Sequence, residues 1–314
     1  MAKAGEASLK FLTVDDGGGT DPAVLERAVR AAGEAGLGAD TELRSGAAAT
    51  AVLEVANQDD VDLVVLGSRG LSMGDQVIGS VSHRIVRHAP CDVLLVRKRE
   101  EPEGMPRVPY AKMMIATDGS PTADRAARKG FTLAKLIGAK VTLIFVGHPK
   151  TGELVLKDTH ATMSDGVETW LLSLEGDPGE AIIGAALEDH PDLIVVGNKG
   201  IAGAKGLLLA SVPKTISEYS PCDVLIARTV TQSIAELGKD DGGIVKSGDR
   251  KLAVYRDKKG KTHALSAKCT HMGCTVAWNT TQRTWDCPCH GSRFSPAGEV
   301  VNGPATKPLP PTDL

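Results

Sequence analysis

Two stretches of the chain decide its fold, because each repeats the other: SVSHRIVRHAPCDVLLVR at 80–97 and SVPKTISEYSPCDVLIAR at 211–228. Two further pairs of blocks keep nearly the same offset, VDLVVLGSRG (61–70) with PDLIVVGNKG (191–200) and AKAGEASLKFLTV (2–14) with AKLIGAKVTLIFV (134–146). Three matched pairs at a nearly constant offset indicate an internal duplication. Cys91 and Cys222 occupy the same place in the two copies, which favours a small buried side chain over a reactive thiol.

Each copy alternates short apolar runs with alanine-rich periodic segments. The runs DLVVLG, DVLLVR, MMIATD, VTLIFV, DLIVVG and DVLIAR are typical of fully buried parallel strands. The segments 22–36, 49–58, 122–138 and 179–190 have helical periodicity. Strands that alternate with helices predict an α/β fold with a doubly wound parallel sheet in each copy.

The first copy lacks a counterpart of KMMIATDGSPTADRAARKGFTLAKLIG, which opens the second copy. In a sheet of order 3-2-1-4-5 the opening strand lies in the middle, so its loss is a structural problem. Two solutions are open. FLTVDD closes the gap and completes a four-stranded sheet beside DLVVLG, or the true chain starts upstream of Met1, which we favour.

Length and composition are those of an ordinary globular protein of two or three domains: 314 residues, 42% apolar and 24% charged. The net charge of −3 argues against a nucleic-acid-binding surface. No apolar run is long enough to predict a transmembrane helix, and MAKAGEASLKFLTVDD lacks the apolar core of a secretory signal. We therefore expect a cytoplasmic protein with no membrane span and no nucleic-acid partner.

From about residue 240 the pattern changes to short strands with turns, typical of a small all-β domain. It contains Cys269-Thr270-His271-Met272-Gly273-Cys274 and Cys287-Pro288-Cys289-His290-Gly291-Ser292. Cysteines clustered in this way favour a metal site over a disulfide scaffold in a cytoplasmic chain. Thiolates suit zinc or iron–sulfur centres, and imidazoles suit zinc, iron or copper. Structural zinc usually draws on C-x2-4-C and H-x3-5-H spacings, which these loops do not offer, yet the residues alone leave both metals open.

The two copies resemble the universal stress protein family over residues 1–98 and 108–229, with EEPEGMPRVP (100–109) as the linker. Family members pair through their last strands, so the resemblance implies that DVLLVR and DVLIAR meet in an intrachain pseudo-dimer.

The resemblance also implies an ATP site in the second copy, whose residues approach the family pattern G-x2-G-x9-G-[ST]. Asp118 would contact the base or ribose, and Gly197, Gly200 and Ser211 would hold the phosphates. Ala210 departs from the glycine of that pattern. The first copy has a shortened pattern and lacks the aspartate-bearing strand, so we expect it not to bind ATP.

The C-terminal pattern resembles the Rieske [2Fe-2S] domain over residues 235–314. The resemblance implies that Cys269 and Cys287 bind the inner iron, and that His271 and His290 bind the outer iron.

Further roles follow from the same resemblance. Cys274 and Cys289 would form a disulfide between the two loops, Ser292 would bond a bridging sulfide, and Gly303-Pro304 would belong to a loop that covers the cluster. Trp278 and Trp285 are expected in the core, and His263 on the surface.

We therefore expect a soluble Rieske-type electron-transfer protein that serves an unknown redox partner protein, with stress-protein-like domains attached. Phe294 stands where high-potential relatives carry tyrosine, so we expect a midpoint potential in the middle of the Rieske range. The alternative is a nucleotide- or redox-responsive stress sensor whose cluster reports redox state. A Rieske oxygenase would need a second iron site, for which the other histidines have no suitable spacing, and a cytochrome-complex subunit would need a membrane anchor.

Overall fold

A computed structural model of the chain describes residues 8–17, 19, 21, 23–58, 61–68, 78–97, 110–198, 211–228, 234, 237–247, 250–279, 282–287 and 289–314. The repeats contain the helices α1 (Ala23–Glu34), α2 (Ala48–Gln58), α3 (Ser80–His88), α4 (Pro121–Ile137), α5 (Pro149–Met163), α6 (Pro178–Asp189) and α7 (Ser211–Tyr219). Their strands are β1 (Lys10–Asp15), β2 (Asp40–Ser45), β3 (Leu63–Gly67), β4 (Asp92–Val96), β5 (Lys112–Ala116), β6 (Lys140–Val146), β7 (Thr169–Leu174), β8 (Leu193–Gly197) and β9 (Asp223–Ala227).

One seven-stranded sheet joins the two copies in the order β3-β4-β9-β8-β5-β6-β7. The second copy supplies five parallel strands in the predicted order 3-2-1-4-5, because β5 lies between β6 and β8. Its central strands are buried on both faces, which explains their continuous Val, Ile, Leu and Met runs. The parallel-sheet α/β fold predicted from the repeats is therefore confirmed.

The last strands of the copies, β4 and β9, pair antiparallel with Leu94 opposite Leu225. Each strand begins with an aspartate that reaches across the junction. Asp223 Oδ1 accepts from the backbone N–H of Arg97 at 2.8 Å, and Asp92 Oδ1 accepts from that of Arg228 at 2.6 Å. The same bond thus forms twice, as the repeated sequence requires.

The first copy is split. β1 pairs in parallel with β2 in a separate two-stranded sheet, whereas β3 pairs with β4 at the outer edge of the large sheet. Of the two alternatives, the four-stranded sheet completed by FLTVDD is wrong, because β1 does not lie beside β3. In the second copy β5 joins the corresponding halves, because it pairs with β6 on one side and with β8 on the other.

The C-terminal region consists of two antiparallel sheets. One contains β10 (Asp241–Ser247), β11 (Arg250–Arg256) and β12 (Thr262–Ser266), and the other β13 (Ala277–Asn279), β14 (Thr284–Asp286), β15 (Arg293–Phe294) and β16 (Val300–Asn302). The predicted strands of this small β domain are present.

Trp278 and Trp285 pack against each other with ring centroids 4.8 Å apart, and both are buried as expected. Gly242 makes room for them, since a Cβ there would lie 2.6 Å from the Trp278 ring. His263 is partly exposed and contacts Asp257, which agrees with the expected surface position.

Cys91 and Cys222 are buried, and burial raises the pKa of the Cys91 thiol to about 11. Both observations fit the structural role predicted for these cysteines. No helix among the described residues is both long and apolar enough to cross a membrane.

Candidate metal centre

Two loops at one end of the β domain have the same backbone hydrogen bonds. In the first, Cys269 N–H donates to the carbonyl of Cys274 and Gly273 N–H donates to the carbonyl of Cys269. In the second, Cys287 N–H donates to the carbonyl of Ser292 and Gly291 N–H donates to that of Cys287.

Both glycines, Gly273 and Gly291, have a φ of +78°, in the region that glycine adopts without strain. Cys269 and Cys287 therefore hold equivalent positions in two matching loops. This equivalence supports them as the pair of thiolate ligands that the sequence predicts.

The four cysteines of these loops are buried together, and all are free thiols in this structure. The sulfur atoms of Cys274, Cys287 and Cys289 lie within 4.8 Å of one another. The Cys274–Cys289 disulfide expected from the sequence is not formed here, although the chain does bring the two thiols together.

The thiols share protons through hydrogen bonds. A hydrogen bond with Cys269 is the main influence that lowers the pKa of Cys287, to about 7. The hydrogen bond with Cys287, and then burial, raise the pKa of Cys269. Hydrogen bonds with Cys287 and Cys289 lower the pKa of Cys274 to about 4. Cys274 and Cys287 therefore favour the thiolate, the form that binds metals, whereas the hydrogen bonds with Cys274 and Cys287 raise the pKa of Cys289 and keep it a thiol.

The two predicted histidines meet beside these cysteines. The rings of His271 and His290 are edge to face, with centroids 4.9 Å apart. His271 is exposed, whereas the His290 side chain is 24% exposed. His290 Nδ1 is buried and has no hydrogen-bond partner in the structure. Buried polar atoms are rarely left unpaired, so this nitrogen is suited to bind a metal.

Ser292 is fully buried and ties the third predicted loop to the site. Its hydroxyl oxygen accepts from the Ala305 N–H at 3.0 Å, and its hydrogen bond to the Cys269 sulfur favours the thiolate. Gly303 and Pro304 precede Ala305, are joined by a cis peptide bond and are exposed.

The donor set of two thiolates and two imidazoles, one of them with an orphaned nitrogen, fits a [2Fe-2S] cluster. Each half of such a cluster would take two ligands of one kind, Cys269 with Cys287 and His271 with His290.

The predicted nucleotide residues are only partly described. Asp118 follows β5 and its Oδ1 accepts from the Ser120 N–H, while Gly197 ends the neighbouring strand β8. Gly200 and the side chain of Ser211 lie outside the described residues. The structure therefore brings Asp118 and Gly197 to the same edge of the sheet and leaves the phosphate loop undescribed.

Sequence reasoning missed three residues at the metal centre, all from the first repeat. Glu54 and Asn57 lie on α2, and Arg84 lies on α3. They are at least 185 positions from the two cysteine–histidine loops, so no local motif could connect them. The one available signal is the repeat itself, because the second copy has Gly184, Leu187 and Thr215 at the matching positions.

Comparisons with known proteins agree with both parts of this architecture. Residues 3–97, 109–162 and 153–228 match the model of the Universal stress protein family, and residues 228–313 match the Rieske [2Fe-2S] domain. The solved structure of a universal stress protein from Archaeoglobus fulgidus DSM 4304 has a TM-score of 0.60 and 19% identity, covering 72% of this chain and 90% of that one. At this identity the likeness concerns the fold.

Curated relatives match the C-terminal region. YhfW of Bacillus subtilis (strain 168), whose name describes a Rieske 2Fe-2S iron-sulfur protein, is 49% identical over 79 residues, which are 25% of this chain and 16% of that protein. Cytochrome b6-f complex iron-sulfur subunit 1 of Nostoc sp. (strain PCC 7120) is 44% identical over 63 residues, 20% of this chain and 35% of the subunit. The chain thus spans about a third or less of the length of these relatives.

The duplicated α/β fold and the family match over most of the chain lead to one conclusion. The chain belongs to the universal stress protein family and carries a Rieske [2Fe-2S] domain at its C-terminal end.

Proposed function

We propose that this chain is a cytoplasmic one-electron carrier in which Cys269, Cys287, His271 and His290 hold a [2Fe-2S] cluster. The observation that carries the proposal is the pair of matching loops, which places two cysteines and two histidines together and leaves His290 Nδ1 buried without a partner. A cluster bound there would take up one electron from a reduced redox protein and give it to an oxidised one.

The residues around the centre determine how readily it accepts the electron. Neutral imidazoles in place of thiolates leave a Rieske centre less negative, so its potential lies at about −150 to +300 mV, above that of all-cysteine ferredoxins. Ser292 donates to a ligand sulfur, which raises the potential further. Phe294 has no hydroxyl, so we place the potential in the middle of that range.

The proposal is tested by iron and sulfide analysis and by electron paramagnetic resonance of the reduced, anaerobically prepared protein. We expect two irons, two sulfides and the rhombic signal of a histidine-ligated centre. His290→Ala should abolish the signal, because it removes a ligand. His263→Ala is the matched control, since His263 lies in the same domain and contacts Asp257 instead. Zinc, or no metal, in the wild-type protein would overturn the proposal.

The disulfide between Cys274 and Cys289 belongs to the same proposal, supported by the placement of their sulfurs within 4.8 Å of each other. Closing it would release two electrons and two protons to an oxidant such as a disulfide-exchange protein. Peptide mapping without reductant should find the two cysteines linked, and a free thiol at both positions would contradict the pairing.

We also propose that the second repeat binds ATP and that the two repeats act as a pseudo-dimer. Asp118 and Gly197 at one sheet edge, with Gly119 at a φ of +72° before the N-terminus of α4, support the ATP site. The antiparallel pairing of β4 with β9 supports the pseudo-dimer. Equilibrium dialysis should find one ATP per chain and weaker binding by Asp118→Ala. No ATP binding by the wild-type protein would remove the nucleotide proposal and leave the electron carrier.

A further inference from the structure

The His290 loop of the Rieske domain lies on the first stress-protein repeat. Asn57 on α2 makes two contacts: its Oδ1 accepts from the Thr275 N–H at 2.8 Å, and its Nδ2 lies 3.7 Å from the Cys289 sulfur. From α3, Arg84 donates to the carbonyl of Cys289 at 3.4 Å. One helix face therefore reaches both ligand loops.

Glu54, one turn before Asn57 on the same face of α2, contacts a predicted cluster ligand directly. Its Oε1 lies 3.0 Å from His290 Nε2, and its side chain is only 16% exposed. With the buried, unpartnered Nδ1 as the nitrogen that binds the metal, Nε2 carries the hydrogen that this carboxylate accepts. Charge-assisted hydrogen bonds of this length are among the stronger contacts in proteins.

Glu54 is also held from its other side. Arg44 on β2 lies 3.9 Å from Glu54 Oε2 and 2.6 Å from Glu42, which in turn pairs with Lys10 on β1 at 3.2 Å. A line of alternating charges thus runs from the separate β1–β2 sheet of the first repeat to His290.

This arrangement is special to the first repeat. The matching positions of the second repeat hold Gly184 and Leu187 in place of Glu54 and Asn57. Leu187 is 57% exposed, so among the described residues no segment packs over this helix face of the second copy as the Rieske domain packs over α2.

We propose that Glu54 is a positioning residue for the metal centre: it binds His290 through Nε2 and lowers the reduction potential of the cluster. The proposal rests on the proposed function, because it needs a cluster at this site. A negative charge beside a ligand stabilises the oxidised, less negative cluster relative to the reduced one. A carboxylate that accepts from the second nitrogen of a histidine ligand also fixes the ring and makes it a stronger donor.

The two histidines are consequently unequal. His290 is covered by the first repeat, whereas His271 is exposed next to Met272, which is 48% exposed. The stress-protein repeat thereby acts on the redox centre through one ligand and leaves the other open to solvent.

The test compares midpoint potentials of the reconstituted full chain by spectroelectrochemistry at one fixed pH. Glu54→Gln should shift the potential upward, because it removes the charge and keeps the shape. Glu54→Asp should stay closer to wild type than Glu54→Gln, because it keeps the charge. Glu26→Gln, an identical change at an exposed position on α1 of the same repeat, should leave the potential unchanged.

A second variant covers the case in which Glu54→Gln fails to assemble. Arg44→Gln removes the positive charge on the far side of Glu54, so the potential should shift downward. The proposal is overturned if Glu54→Gln matches Glu26→Gln, or if Arg44→Gln does not move the potential. Absence of the iron–sulfur spectrum in the wild-type protein would instead count against the proposed function.

Discussion

Gly273 shows how single residues shape the metal centre. It has a φ of +78°, and a Cβ built there would meet nothing within 4 Å. Glycine is therefore favoured here by its backbone conformation and not by lack of space. Residues with a Cβ adopt such a positive φ only at a cost of about 1–2 kcal/mol. The turn it allows lets the Gly273 N–H reach the carbonyl of Cys269 and close the first ligand loop.

We expect Gly273→Ala to destabilise the Rieske domain by about 1–2 kcal/mol through this backbone strain alone. The measurement is the midpoint of cluster loss in urea, followed by visible absorption. Gly184→Ala is the matched control, because Gly184 lies within α6 with nothing near its Cβ position. Alanine there should be neutral or stabilising. Equal effects of the two substitutions would exclude strain as the cause.

At the scale of elements, the junction of β4 and β9 depends on two aspartates, the partly buried Asp92 and the buried Asp223. Asp223 is fully buried and accepts from the Arg97 N–H and from the Tyr110 hydroxyl, each at 2.8 Å. A buried donor without an acceptor is unfavourable, because it has lost its hydrogen bonds to water. By accepting from both groups, the Asp223 carboxylate stabilises the strand pairing.

Asp223→Ala should lower the free energy of unfolding of the joined repeats by about 1–3 kcal/mol. Urea denaturation followed by circular dichroism measures the change. Asp165→Ala is the comparison, since the Asp165 side chain is 98% exposed and forms one surface ion pair with Lys135. That substitution should stay within about 0.5 kcal/mol of wild type. A similar loss in both variants would argue against the junction as the source.

The end of helix α3 carries a pH-sensitive group. Burial, and after it the charges of Arg87, Arg228 and Arg84, lower the pKa of His88 from 6.5 to about 4. The unfolded chain therefore binds a proton at a higher pH than the folded chain does. Stability contributed by neutral His88 is fully present above pH 6.5 and is lost as the pH falls toward about 4.

We expect His88→Gln to flatten this part of the stability curve, because glutamine cannot take up the proton. Unfolding midpoints in urea between pH 7 and about 4 measure the slope. If the variant keeps the wild-type slope, other groups cause the acid sensitivity.

At the scale of the whole molecule, repeats and ligand spacing could be predicted, whereas contacts between distant segments could not. The apolar runs predicted buried parallel strands, and their alternation with helices predicted the doubly wound sheet whose order 3-2-1-4-5 the second copy has. The two loops of the candidate metal centre could be picked out because Cys269 and His290 lie in short cysteine–histidine motifs. Glu54 was not found, since an acidic residue on an amphipathic helix is ordinary until folding places it against His290. The separate β1–β2 sheet was not foreseen for a related reason. No described strand takes the place of β5 between β1 and β3, so β1 and β2 pair with each other outside the large sheet.

Among the described residues, that split leaves the outer edge of β3 without a neighbouring strand. β3 is the outermost strand of the large sheet, its sequence LVVLG has no charge, and Val65 is 57% exposed. Bare apolar edges of this kind recruit strands from other molecules. At high concentration the protein should therefore self-associate, which light scattering measures. Val65→Lys should reduce the scattering, because a lysine on an edge strand disfavours pairing with a strand of another molecule. Identical scattering by the wild-type protein and the Val65→Lys variant would mean that self-association does not occur through the β3 edge.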